Sequence, residues 1–148
     1  MRFSELVTVL QLSVSPVILI SGVGLLLLSM TNRFGRVIDR IRLAADTLRK
    51  SSTNDNDRAR LTSQLTMLRR RANLLRLAII LAVFSVLMAA LLVITLFISA
   101  ITQSDHGLPL IILFLAAMLL LIASLIAFIQ DLNLSLEAVK LEIESPNR

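Results

Sequence analysis

The chain has 148 residues, 56% of them hydrophobic, with fifteen Lys and Arg against ten Asp and Glu for a formal charge of +5. Soluble domains stay below about 50% apolar, and here the excess is gathered into long uncharged blocks, which excludes a soluble globular protein. The lack of cysteine excludes disulfides and thiolate chemistry, and the lack of Trp and Tyr leaves arginine to anchor the membrane interface.

The first block, Leu6 to Thr31, is uncharged but carries Gln11, Ser13, Ser15 and Pro16. It is too long for a secretory signal and no small-x-small cleavage site follows it, so it reads as a retained span. Pro16 either starts the straight part of this helix or kinks it. Ser15, Gly22, Ser29 and Arg36 recur every seven residues on one face, with Ser21 and Gly24 beside it. Small residues let helices approach closely. Such a face packs inside the subunit, joins copies in an oligomer, or lines a narrow pore. In a pore, Arg33 and Arg36 would stand at the cytoplasmic mouth, where arginine favours anions.

From Asn32 to Arg76 there are twelve Lys and Arg and four Asp. Basic residues stay on the cytoplasmic side, so this segment lies inside, the N-terminus outside, the short 103–108 loop outside and the tail inside. The apolar positions Phe34, Ile38, Ile41, Ala45 and Leu48 step by four and three, a heptad seam that carries the first helix about 28 Å beyond the membrane. "KSSTNDND", residues 50 to 57, is a polar turn with Asp55 or Asp57 as the next helix cap. Leu61, Leu65, Leu68, Ala72 and Leu75 then repeat the same steps. Folded back, the seams pair Leu48 with Leu61, Ala45 with Leu65, Ile41 with Leu68, Ile38 with Ala72 and Phe34 with Leu75. The expectation is an antiparallel hairpin, against the alternative of two helices lying flat on the bilayer. Asp39 and Asp46 stand within helical reach of Arg36, Arg42, Arg49 and Lys50, which predicts ion pairs on the outer faces. Arg33, Arg36, Arg69, Arg70, Arg71 and Arg76 gather at the base of the hairpin and are the expected contacts of anionic lipid, at about 1 kcal/mol each.

"SPVILISGVGLLLLSMTNRFGRVIDRIR", residues 15 to 42, resembles the signature of small bacterial membrane proteins of domain-of-unknown-function family 2721. The pattern is a Ser-Pro helix start, small residues, a leucine run, then Asn-Arg-x-Gly-Arg-Val-x-Asp-Arg. The resemblance implies a bacterial inner membrane and brings no catalytic residue with it.

Leu77 to Ile101 and Leu108 to Ile129 are uncharged and long enough to cross a hydrocarbon core, which takes about 20 residues. Each has a small-residue seam: Ala78, Ala82, Ser85 and Ala89 in one, Ala116, Ala123 and Ala127 in the other. His106 beside Asp105 reads as a solvated turn, since two such ligands do not hold a metal. In the tail, Leu132, Leu136, Val139 and Ile143 step four, three, four, and Leu134 and Leu141 widen the stripe. Leucines at 132, 134 and 136 also suit a strand, but continuity with the third span favours an acidic amphipathic helix packing on the basic hairpin.

The sequence thus describes an all-α membrane protein. Its segments are a first transmembrane helix (1–31), a cytoplasmic basic hairpin (32–76), a second transmembrane helix (77–102), an external loop (103–108), a third transmembrane helix (109–130) and a cytoplasmic amphipathic helix and tail (131–148). No catalytic set, metal site or cofactor motif appears, and no span holds a titratable group, which speaks against a proton-coupled transporter. With Phe34 the one aromatic in the basic segment, no nucleic-acid partner is expected. The expected protein is non-enzymatic and self-assembling, a structural or interaction protein of the bacterial inner membrane with its C-terminus in the cytoplasm. Its expected partners are anionic lipid, further copies of itself and a cytoplasmic protein. The alternative is a small oligomeric channel lined by Ser15, Gly22 and Ser29.

Overall fold

The computed structural model describes residues 3–50, 55–102 and 107–143, with side chains described for 7–8, 10–49, 58–59, 61–102 and 107–135. It has three helices in order: α1 (Phe3–Lys50), α2 (Asp55–Thr102) and α3 (Gly107–Ile143). All three are long and apolar enough to cross a membrane.

α1 is one unbroken helix of 48 residues, about 72 Å long at 1.5 Å per residue. It passes through Pro16, Asn32 and Gly35 without interruption. The change from leucine to arginine after Thr31 alters only what surrounds the side chains. It removes no backbone donor, so the hydrogen-bond ladder has no reason to stop there. α3 likewise continues past the last apolar residue of its span to Ile143, so the tail is helix and not strand. Pro109 sits in the first turn of α3, where its missing N–H costs nothing. The side chains of Asp55 and Asp57, the Asp105–His106 turn and the tail side chains from Leu136 onward lie outside the described residues.

The chain divides into two compact units, residues 1–28 with 79–124 and residues 29–78 with 125–148. The divisions fall at 28/29, 78/79 and 124/125.

In the first unit the buried positions are small. Ser13, Val23, Ala82, Ser85, Ala89, Ala117 and Ser124 are all buried. Side chains of this size let helix backbones approach closely, and dispersion replaces the hydrophobic effect as the adhesive. Ser85 Oγ donates a hydrogen bond to the Ala117 carbonyl at 2.8 Å, tying α2 to α3. The surface left outward is aliphatic, with Leu25 and Leu108 each 72% exposed. The seam on α3 differs from the expectation: Ala116 is half-buried and Ala123 exposed, while Ala117, Ser124 and Ala127 are buried. Runs of small residues such as Ala116-Ala117 and Ala123-Ser124 offer two adjacent faces, and the packing of α3 against its neighbours selects one.

In the second unit Val37, Ala72 and Leu75 form a buried cluster, with Phe34, Ile38, Ile41 and Phe128 packed against it. All three helices therefore contribute. On α1 the inward positions run Met30, Phe34, Val37, Ile41, Ala44 and Leu48. The heptad reading instead ran through Ile38 and Ala45. Ile38 still packs on the cluster, whereas Ala45 is exposed. On α2 Leu65, Ala72 and Leu75 are buried, Leu61 and Leu68 half-buried. The physical reason for the turn of the α1 face is Phe128. A third helix lies against the pair, so the inward stripe is wider than a two-helix seam and Val37 becomes its centre.

Candidate functional site

Asp131 is the first charged residue after the apolar run of α3, and its burial is nearly complete, at 1% exposure. It lies seven and fourteen residues after Ser124 and Ala117, on the same inward line of the helix. A lone buried carboxylate costs several kcal/mol of lost hydration and survives only when paired. Here α1 and α2 each bring an arginine. Arg71 Nε donates to Asp131 Oδ1 at 3.4 Å, and Arg33 Nη1 lies 3.8 Å from Oδ2. Arg71 Nη2 also donates to Ser135 Oγ, and Ser135 in turn donates to the Asp131 carbonyl at 2.9 Å. The guanidinium of Arg33 stands 5.6 Å from the centroid of the Phe128 ring, a cation–π contact one helical turn before Asp131. The planar fork of arginine suits this arrangement, since it can meet a carboxylate and a second acceptor or ring together, which the point charge of lysine cannot.

The hydrogen bonding is incomplete. Arg33 Nη1 and Asp131 Oδ2 are both buried and neither has a hydrogen-bond partner within the described chain. Beside them is a cavity of about 150 Å³ lined by Arg33, Arg36, Val37, Arg40, Arg71 and Asp131. A wider groove of about 900 Å³ runs along α2 and α3, edged by Arg69, Arg70, Asn73, Leu77, Gln130 and Asn133. Among the described residues no cluster of His, Asp or Glu could hold a metal ion.

The six arginines assigned to lipid separate into two groups. Arg36, Arg69, Arg70 and Arg76 are exposed. Arg33 and Arg71, at 30% and 17% side-chain exposure, are committed to Asp131. The ion pairs expected of Asp39 and Asp46 with Arg36, Arg42 and Arg49 do not form, and the side chain of Lys50 lies outside the described residues. Among the described residues both ion pairs end on Asp131, and Asp39 and Asp46 have none with Arg36, Arg42 or Arg49. Exposed pairs of that kind are worth so little that solvated side chains are as stable apart.

The small face of α1 points away from the rest of the chain. Ser15, Ser21, Gly22, Gly24 and Ser29 are exposed, and a Cβ added at Gly22 or Gly24 meets nothing within 4 Å. At Gly22 and Gly24 this face makes no packing contact inside the subunit. The inward line of α1 runs instead through Ser13, Pro16, Ile20, Val23, Leu27 and Met30. Ser15 edges an apolar pocket of about 190 Å³ with Pro16, Leu19, Ala89, Leu92, Phe114, Ala117 and Met118.

Sequence reasoning missed Asp131, which it counted as the first charge of an acidic tail. The available signal was its seven-residue spacing from Ser124 and Ala117. It also missed that Arg33 and Arg71 are structural partners, because Arg36 one turn from the first and Arg69 and Arg70 beside the second face solvent.

No curated protein and no solved structure matches the chain. A family model described as "Protein of unknown function (DUF2721)" matches residues 13–141, which takes in both units and all three members of the Arg33–Arg71–Asp131 set. The chain belongs to that family, domain-of-unknown-function family 2721.

Proposed function

We propose that this is a non-enzymatic structural or interaction protein of a bacterial inner membrane that assembles with itself through the small-residue face of α1. The observation that carries the reading is the outward Ser15, Gly22 and Ser29 face, free of any intramolecular contact at Gly22. Lipid gains nothing from glycine and serine, whereas a second helix gains close backbone approach. Residues 32–76 form the cytoplasmic hairpin in this reading, with the N-terminus outside. The packing of Phe34, Ile38 and Ile41 around Ala72 and Leu75 supports antiparallel pairing, and the density of Lys and Arg supports the cytoplasmic side. The exposed Arg36, Arg69, Arg70 and Arg76 meet anionic head groups there. A pore lined by the same face is less well supported, because Arg33, one of its two mouth arginines, is held by Asp131.

The test is the mass of the particle in nanodiscs, compared with Gly22→Leu. The added side chain has free space in the monomer, so thermal stability of the monomer stays within about 0.5 kcal/mol. The wild-type particle is expected to be oligomeric and the variant to shift toward monomer. A monomeric wild-type particle removes the self-assembly reading, and an assembled variant places the interface on another face.

A further inference from the structure

The cavity beside Asp131 has four guanidinium groups on its wall against one carboxylate, a surplus of three positive charges. Arg33, Arg36 and Arg40 come from one face of α1, Arg71 from α2 and Asp131 from α3. Arg33 and Arg71 neutralise Asp131. Arg36 and Arg40 stand one helical turn apart with no acidic partner among the described residues. Like charges at that spacing repel each other, so the pair is stable only in solvent or around an anion.

Two buried atoms point to the anion. Arg33 Nη1 is a donor without an acceptor, and Asp131 Oδ2, 3.8 Å away, is an acceptor without a donor. A fully deprotonated oxyanion answers the first and repels the second. A hydrogen phosphate group answers both, since its bare oxygens accept from guanidinium and its remaining hydroxyl donates to the carboxylate. Arginine binds phosphate oxygens through two parallel N–H bonds, which suits the fork geometry on this wall. The volume is adequate, because a cavity of about 150 Å³ holds a benzene molecule and a tetrahedral oxyanion is smaller.

We infer that the cavity is a binding site for a hydrogen phosphate group, in which Arg36 and Arg40 supply charge, Arg33 supplies a buried donor and Asp131 selects the protonated anion. The group is that of free inorganic phosphate or of a lipid phosphate monoester. The inference does not depend on the side of the membrane or on the oligomeric state.

The experiment titrates the full chain, purified without phosphate in a maltoside detergent, with inorganic phosphate, sulfate and dihexanoyl phosphatidic acid, by calorimetry. One saturable site per chain is expected for at least one of the two phosphates. Sulfate, which carries no proton at neutral pH, is expected to bind at least tenfold more weakly. The double variant Arg36→Gln with Arg40→Gln changes exposed residues, so it keeps the fold, which its helix content checks. It should lose at least tenfold in phosphate affinity. Arg42→Gln with Arg49→Gln, exposed and outside the cavity, should lose less than twofold. Phosphatidic acid binding tenfold tighter than inorganic phosphate identifies the lipid as the source, and equal affinities identify free phosphate. Saturable binding of neither probe, equal affinity for sulfate, or an equal loss in the Arg42 and Arg49 variant overturns the inference.

Discussion

Asp131 carries more of the structure than any other charged side chain in the described chain. It is 1% exposed and is the acceptor for both ion pairs, one from each of the other helices. A buried pair adds little net stability over an apolar core, yet breaking one by removing a single partner is expensive, because the other charges remain where water cannot reach them. Asp131→Asn should therefore cost about 3 kcal/mol in thermal unfolding, the lower end of the range for buried pairs, since Arg33 and Arg71 keep some solvent contact. Adding Arg33→Gln and Arg71→Gln to that variant should restore part of the loss, as expected for coupled residues. Asp39→Asn, on an exposed position, should stay within about 0.5 kcal/mol. Equal behaviour of the two Asp variants would show that the buried set contributes nothing.

Each helix places its residues by the same repeat. On α1 inward positions follow steps of three and four from Ser13 through Val23 and Met30 to Leu48, with apolar or small residues throughout. That regularity is why the helix is continuous. No position asks the chain to turn, and the outward residues change from leucine to arginine as the solvent changes. Beyond Asn32, the α1 residues Phe34, Val37, Ile38 and Ile41 pack in one cluster with Ala72 and Leu75 of α2, and the proposed hairpin extends that pairing along both helices. Cysteines at positions 41 and 68 should be joined within one chain by a short bismaleimide, and cysteines at 42 and 69, both on exposed sites, should not. The protein is cysteine-free, so the background is clean. Labelling of both seam cysteines by membrane-phase reagents without crosslinking would mean that the helices lie flat on the bilayer.

The three helices are long and apolar enough to cross a membrane, and in the proposed topology three crossings put the two ends of the chain on opposite sides. In that topology the basic residues of 32–76 set which side is which, through the energetic barrier to moving Lys and Arg across the bilayer. A reporter fused after Ser104 should behave as periplasmic and one after Arg148 as cytoplasmic. The reverse pattern would invert the protein and place its arginines, with the cavity at Asp131, outside the cell.

The number of helices and their great length could be read from the chain, because an uncharged run longer than about 20 residues has few places to go other than a bilayer and because a three-four repeat of apolar residues has no use in a strand. The small seam of α2 at Ala78, Ala82, Ser85 and Ala89 was equally open to reading, and all four are buried. Direction was not. Val37 and Ile38, Ala44 and Ala45, Ala116 and Ala117 are neighbours of like character, and a helix rotated by one residue satisfies the pattern equally well. The third helix settled that rotation by bringing Phe128 against Val37. Nor does spacing along one helix tell which of twelve basic residues meet a carboxylate 60 and 98 positions away. The pairing of Arg33 and Arg71 with Asp131 belongs to tertiary structure alone, since only three helices packed together exclude enough water to make those three charges need one another.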